Sequence, residues 1–202
     1  MKDLCVWLVG FVMMSAAIRC AYQIKKQDGT KPTLSTWIIF CTGTILSLTT
    51  YLVAEKHDLR SGILNTADVL ATATIFLSVL LWGERGVRFK SFEKWYLGGA
   101  GCIVTYGIFS GDAWGSNLFT QGLITFGYLP TVQKLLTEKR NTESFSVWGL
   151  IVLAGLFALY PAMVNGNLLA VVYVLRSTIS VLIVIAMMYF FELRSKRLPS
   201  QT

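Results

Sequence analysis

Seven apolar blocks, each close to the length of a membrane span, leave this 202-residue chain few ways to fold. They run over about 4–24, 34–54, 62–83, 92–111, 113–136, 146–165 and 167–192. A helix of about 20 such residues crosses a hydrocarbon core roughly 30 Å thick. The blocks lack the three-to-four-residue alternation of an amphipathic soluble helix. Composition agrees: the chain is 54% hydrophobic and only 14% charged, where soluble domains are charged at roughly a quarter of positions. The connections are short, and Gly111-Asp112 and Asn165-Gly166-Asn167 read as tight turns. The expected fold is all-α, a polytopic membrane protein of seven transmembrane helices with no soluble catalytic module. Ser15-Ala16-Ala17 loosely resembles a signal-peptide cleavage site, but the basic hinge after the first block and the matching segment later in the chain point to a retained helix.

Charge orients these helices. With the N-terminus outside, the outer segments carry Lys2, Lys56 and Arg60, and the inner segments carry thirteen Lys or Arg residues at 25–33, 84–94, 134–145 and 193–202. That asymmetry is a positive-inside pattern, with the C-terminus in the cytoplasm of a cell bounded by a plasma or inner membrane. It accounts for the net charge of +7 without nucleic acid, and it makes anionic lipid headgroups the partners of the inner loops.

An internal echo divides the chain. Residues 18–37 and 129–148 both leave an apolar block, pass through a basic stretch and open the next block on Ser-x-Trp, with Ser35 and Trp37 matching Ser146 and Trp148 at an offset of 111. A three-helix unit repeated in parallel needs one extra helix to restore its orientation. The expectation is therefore a first repeat at 1–85, a linker helix within 86–112, a second repeat at 113–193 and a basic tail at 194–202, the repeats being related by an axis along the membrane normal.

The stretch YLPTVQKLLTEKRNTESFSVW at 128–148 resembles the PQ-loop motif, in which Pro-Gln at the inner end of a helix precedes a Lys-rich segment and a Trp-bearing helix. Thr131 stands where that motif has Gln, and Arg19 and Cys20 stand where the first repeat would have Pro and Gln. The hinge from Lys31-Pro32 to Trp37 is similar to that of bacterial PQ-loop proteins, so the chain resembles a divergent member of the PQ-loop/SWEET group. The resemblance implies a 3+1+3 bundle, an outside N-terminus and transport of a small solute such as a sugar, amino acid or organic anion. It also implies that the third and seventh helices each present a residue to a central pocket. Asn65 matches the asparagine on one, and Arg176 replaces that on the other.

Polar residues at membrane depth are costly, about 2.5–3.5 kcal/mol or more for a charge. Asn65 and Asp68 lie one turn apart in the third block, Gln121 in the fifth and Arg176 in the seventh. Asp68 should lie roughly 9 Å, and Arg176 roughly 14 Å, below the outer ends of their helices, a gap an arginine side chain covers. Two readings follow. In one, Asp68 and Arg176 form a buried ion pair that fixes helix register. In the other, the group lines a cavity for a polar solute, with Arg176 taking a carboxylate or phosphate, or Asp68 titrating as a proton-coupling site. The offset sets Ser47 and Thr49 against Tyr160 and Pro161 as further pocket candidates, alongside the packing role common for small hydroxyl residues in membranes. Pro130 and Pro161 free backbone carbonyls and are the hinge candidates. Gly98-Gly99-Ala100-Gly101 should allow close packing of the fourth helix, and Trp37, Trp95, Trp114 and Trp148 should anchor at interfaces.

The leading expectation is a carrier working by alternating access. The alternative is a non-transporting receptor or scaffold with a fixed Asp68–Arg176 pair. No nucleotide-binding loop or nucleophile–base constellation points to an enzyme. Cys5, Cys20, Cys41 and Cys102 lack metal or redox spacing, and His57 stands alone beside Asp58, so no cofactor or metal is expected. Whether copies associate into a homo-oligomer is open, since a duplicated chain can complete a pathway alone.

Overall fold

The apolar blocks become helices because every backbone N–H and C=O in lipid must be satisfied within the segment. The computed structural model describes residues 1–26, 34–56, 58–83, 91–141 and 143–197, with the side chains of 195–197 excepted. The hinge residues Lys31 and Pro32, the cations Arg85, Arg88 and Lys90, and His57 lie outside the described residues.

The helices are α1 (Lys2–Lys26), α2 (Leu34–Ala54), α3 (Ile63–Trp82), α4 (Ser91–Ser110), α5 (Ala113–Gly127), α6 (Leu129–Glu138), α7 (Phe145–Val164) and α8 (Leu168–Arg197). Five are long and apolar enough to cross a membrane: α1, α2, α3, α7 and α8 through Arg194. The chain is thus a helical integral membrane protein.

The block expected as one helix over 113–136 is two. Pro130 has no N–H to donate back to Phe126, so the ladder breaks one turn early. Tyr128 N–H closes a tight turn on the Thr125 carbonyl at 3.3 Å, and the helix restarts with Val132 N–H on the Tyr128 carbonyl at 3.0 Å. Alone, α5 is roughly 22 Å long, short of a bilayer core, and needs α6 to complete the passage. Pro161, by contrast, sits buried inside an uninterrupted α7.

Each helix finds its neighbours in a closed order. Helix α1 packs on α3 and α7, α3 on α2, α2 on α5, α5 and α6 on α8, and α8 on α7, which returns to α1. Helices α3 and α8 touch across the middle, and α4 packs on the outside of α5 and α2. The largest apolar core is built from Val9, Met13, Ala17, Ile75, Val79 and Ala154 with their neighbours, and a second one joins Leu135 of α6 to Val184, Met188 and Phe191 of α8.

The run Gly98-Gly99-Ala100-Gly101 does not serve close packing as expected: a methyl group on Gly98 or Gly101 would meet nothing, and only Gly99 of the run approaches a neighbour, Leu123. The close glycine of α4 is Gly107, where a Cβ would meet Ser116. The interface role of tryptophan also divides: Trp95 is 81% exposed, whereas Trp37 packs against Phe40 and Trp148 against Tyr128.

Candidate polar site at the centre of the helix ring

Ser47 of α2 is fully buried where α2, α3, α5 and α8 converge. Its hydroxyl oxygen accepts from Asn65 Nδ2 at 3.1 Å and from Gln121 Nε2 at 2.9 Å. Asn117, one turn before Gln121, donates to the Ser47 carbonyl at 2.9 Å and to Thr50 Oγ1 at 3.0 Å, and its Oδ1 accepts from Gln121 Nε2 at 3.2 Å. The other end of Gln121, Oε1, accepts from Arg176 Nε at 3.1 Å. Gln121 and Arg176 are each the ninth residue of their helices, so both lie roughly 12 Å in from the same end of the bundle.

The guanidinium of Arg176 lies over the ring of Tyr173, 4.7 Å from its centroid. Their three-residue spacing on α8 places both on one face. Tyr173 in turn donates from its hydroxyl to Asp68 Oδ2 at 2.5 Å. Asp68 is one turn from Asn65, which closes a circuit: Asn65, Ser47, Gln121, Arg176, Tyr173, Asp68. Thr72 extends it by donating to the Asp68 carbonyl at 2.8 Å and bonding to Thr44 at 3.1 Å.

The expected Asp68–Arg176 ion pair is not made directly. Asp3–Arg60 and Glu138–Arg140 do form ion pairs, both at the ends of the bundle. Tyr173 stands between the two central charges and engages each. The buried hydroxyl of Tyr128 lies beside the Arg176 guanidinium. Among the described residues four buried polar atoms make no hydrogen bond of ordinary geometry: Arg176 Nη1 and Nη2, Asn65 Oδ1 and Tyr96 Oη. Each such group costs about 1–3 kcal/mol, and more when charged. Three of the four belong to the circuit, and Tyr96 reaches towards it from α4. Its hydroxyl fits against Gly43, where any Cβ would collide with it.

Asn65, Asp68, Gln121 and Arg176 are therefore brought together. Thr49 and Tyr160 do not join them: Thr49 is exposed and Tyr160 is 39% exposed. Each follows an inward-facing residue, Ser47 or Ala158, by two positions, and two residues turn a helix through roughly 200° onto its opposite side. Asn117, Tyr173 and Tyr96 were missed. Asn117 carried a signal, its one-turn spacing from Gln121, and so did Tyr173, three residues before a buried arginine.

The two ends of the bundle close differently. At the end bearing the N-terminus, Tyr51 donates to the Asp58 carbonyl at 2.9 Å and accepts from Asn167 Nδ2 at 3.0 Å. Asn167 also donates to Glu55 Oε2 at 3.1 Å, and its Oδ1 accepts from Ala170 N–H at 2.9 Å. Asn165 bonds to both Ser61 and Lys2. The Asp58 carboxyl is raised by burial, but hydrogen bonds from Ser61 and Arg60 N–H and the charge of Lys2 outweigh this and hold it below the usual range. Beneath this network a crevice lined by Tyr51, Ser61, Gly62, Asn65 and Tyr173 leads towards the circuit, too narrow for a water molecule.

At the opposite end, the broken α5–α6 helix packs Tyr128 edge-on against Phe40 at 5.8 Å. Gln23 donates to Ser144 at 3.2 Å, tying α1 to the start of α7. Neighbouring Glu143 is pushed above the usual glutamate range by burial, against the opposing charge of Lys134.

No family model, curated protein or solved structure matches the chain.

Proposed function

We propose that this protein is a membrane carrier for a small polar solute, working by alternating access around the circuit of Asn65, Asp68, Gln121 and Arg176. One observation carries the reading: a guanidinium whose two buried terminal nitrogens make no hydrogen bond of ordinary geometry, with the Tyr128 hydroxyl beside it, at the centre of a helix ring. A charge is kept in such a place at a cost, and ligand binding is the usual return for it.

The helix bounds favour two parallel units. Shifted by 111, α1 falls on 113–137, the stretch filled by α5 and α6; α2 falls on 145–165, where α7 runs; and α3 falls on 174–193, within α8. The same shift exchanges the packing pairs: α1·α3 with α5/α6·α8, α2·α3 with α7·α8, and α1·α7 with α5·α2. Among the described residues α3 and α8 pack against each other, their own counterparts under the shift, as helices beside a two-fold axis do. This supports the 3+1+3 arrangement, with α4 as the linker, and the kinship with PQ-loop/SWEET carriers. The positive-inside charge pattern favours an outside N-terminus.

In this assignment the Tyr51–Asn167 network is an outer gate, closed in the present conformation. The break at Tyr128, before Pro130, is the point about which the inner half bends. Pro161 lies in a continuous helix, so the hinge role rests on Pro130. A receptor or scaffold with a fixed Asp68–Arg176 pair is the second reading, and the position of Tyr173 between those groups favours the carrier over it.

Uptake of radiolabelled sugars, amino acids and organic acids into proteoliposomes tests the proposal. Arg176→Ala and Asp68→Asn should each abolish the uptake of whichever solute the protein moves, while both variants remain folded and monodisperse. Normal transport by both variants would discard the site. If Asp68 couples protons, an imposed pH gradient must change the rate of uptake; indifference to the gradient removes Asp68 from that role.

A further inference from the structure

The unsatisfied atoms of the circuit describe more than a polar solute. Resting on the carrier reading, we infer that the solute is a small zwitterion with the charge pattern of an α-amino acid, its carboxylate held by Arg176 and its ammonium by Asp68 and Asn65.

The donor side comes from the guanidinium. Nε is committed to Gln121 Oε1 at 3.1 Å, and the ring of Tyr173 lies 4.7 Å from the group. Those two contacts fix the plane of the fork and leave Nη1 and Nη2 without a hydrogen bond of ordinary geometry, beside the buried hydroxyl of Tyr128. The acceptor geometry that satisfies both at once is that of a carboxylate. The acceptor side comes from α3. Asn65 Nδ2 is committed to Ser47, while its Oδ1 is buried and without a hydrogen bond. One turn along, Asp68 uses one oxygen for Tyr173, and an ionised carboxylate has about four lone-pair sites to offer. A donor group on the solute, and a positively charged one above all, completes both.

Charge decides among solutes that could make those bonds. Asp68 and Arg176 sum to zero, yet they are not in contact, because Tyr173 lies between them. A lone carboxylate would pair with Arg176 beside an uncompensated Asp68. A lone ammonium would do the reverse. A sugar can satisfy hydrogen bonds but gives the guanidinium no counter-charge. In each case a desolvated charge is left without a partner, which is the costly arrangement. A zwitterion matches both charges in the separated positions in which the protein holds them.

The full chain, purified in detergent, is to be melted in the presence of each of the standard amino acids, their deaminated carboxylic acids, their decarboxylated amines, and glucose. At least one amino acid should raise the melting temperature where its own acid and amine at equal concentration do not, and that amino acid in radiolabelled form should enter proteoliposomes saturably. Asp68→Asn leaves a net positive circuit, so it should lose amino-acid uptake at least tenfold and gain stabilisation by the corresponding acid. Arg176→Gln should shift stabilisation to the amine. Gained ligands of opposite kinds cannot arise from misfolding. Glucose, a lone acid or a lone amine acting as strongly as any amino acid would overturn the zwitterion while leaving a carrier. Stabilisation by an amino acid that never enters the vesicles would keep the zwitterion site and overturn transport. No response to any compound overturns the inference.

Discussion

Two polar networks lie on the same side of this bundle, and they are built to opposite rules. At the N-terminal end, Tyr51, Asn165 and Asn167 are all engaged with partners on neighbouring helices or loops. About a turn or two deeper, the circuit from Asn65 to Asp68 leaves three buried atoms without a hydrogen bond, two of them on a cation. Buried polar groups that serve stability are satisfied. The outer network therefore holds the conformation together, and the inner one is held ready by its surroundings. Gln121, itself held by Ser47, and Tyr173 restrain Arg176 through its Nε and its flat face, while its terminal nitrogens make no hydrogen bond of ordinary geometry and have only the Tyr128 hydroxyl beside the group.

This contrast is broken most directly by removing both central charges together. The double variant Arg176→Met/Asp68→Asn takes away the cation and its separated counter-charge, and replacing a buried pair of charges by neutral side chains of similar volume is neutral or stabilising, whereas removing one alone would strand the other. The melting temperature should stay level or rise, while uptake falls about 100-fold or more, the scale of losing a buried charge-assisted contact. Tyr51→Phe should do the reverse. It deletes one hydroxyl that serves Asp58 and Asn167 together, so stability should drop by about 1–3 kcal/mol, with uptake retained at a temperature where the protein is folded. If the double variant destabilised as much as Tyr51→Phe, the central network would be structural and the distinction would fail.

The sequence made part of this legible. Long apolar blocks announce membrane helices because hydropathy and length act residue by residue, and charges in such blocks stand out by their cost. Asn65, Asp68, Gln121 and Arg176 could be picked out in that way and do converge. The offset of 111 sets α2 almost end for end on α7, whereas α8 starts before and ends after the shifted α3. It could not choose a helix face, because a face is decided by what packs on it: Thr49 and Tyr160 sit at the expected depth on the exposed side, while Ser47, two residues from Thr49, is the hub. The partition of 113–136 was also hidden. Pro130 was visible, but whether a proline kinks a helix or ends it depends on what refills the freed backbone groups, and only the Tyr128 turn settles that. Tyr173 escaped notice because an aromatic residue in an apolar block looks like core until its hydroxyl finds a carboxylate.

The same face argument gives a smaller effect that sharpens the comparison. Thr49→Val and Tyr160→Phe alter residues at the depth of both networks but belonging to neither. Each should change stability by less than about 0.5 kcal/mol, as exposed substitutions do, and each should transport at the wild-type rate. A loss of uptake in either variant, with the melting temperature unchanged, would extend the site to the outer side of α2 or α7 and undo the boundary drawn around the circuit.

The smallest effect concerns the far end, where Glu143 resembles the central groups in being buried at a cost but has cations of the loop close by. Burial lifts its carboxyl above the ordinary glutamate value, with Lys134 opposing and Glu138 adding to the rise. A raised folded-state value means that the folded protein binds the proton more tightly than the unfolded chain. Stability is therefore greatest below the unfolded value of about 4.5 and is lost as pH rises through the folded one. Glu143→Gln cannot titrate and escapes that loss. Melting curves in detergent between pH 4 and 8 should show the variant level with the wild type at the acid end and more stable at pH 8, by about 2 °C or less. A variant less stable at pH 8 would mean that the Lys134 charge outweighs burial. Glu143 would then belong with the satisfied residues of the outer network, in contrast to the circuit around Arg176, where opposite charges are held apart without direct contact.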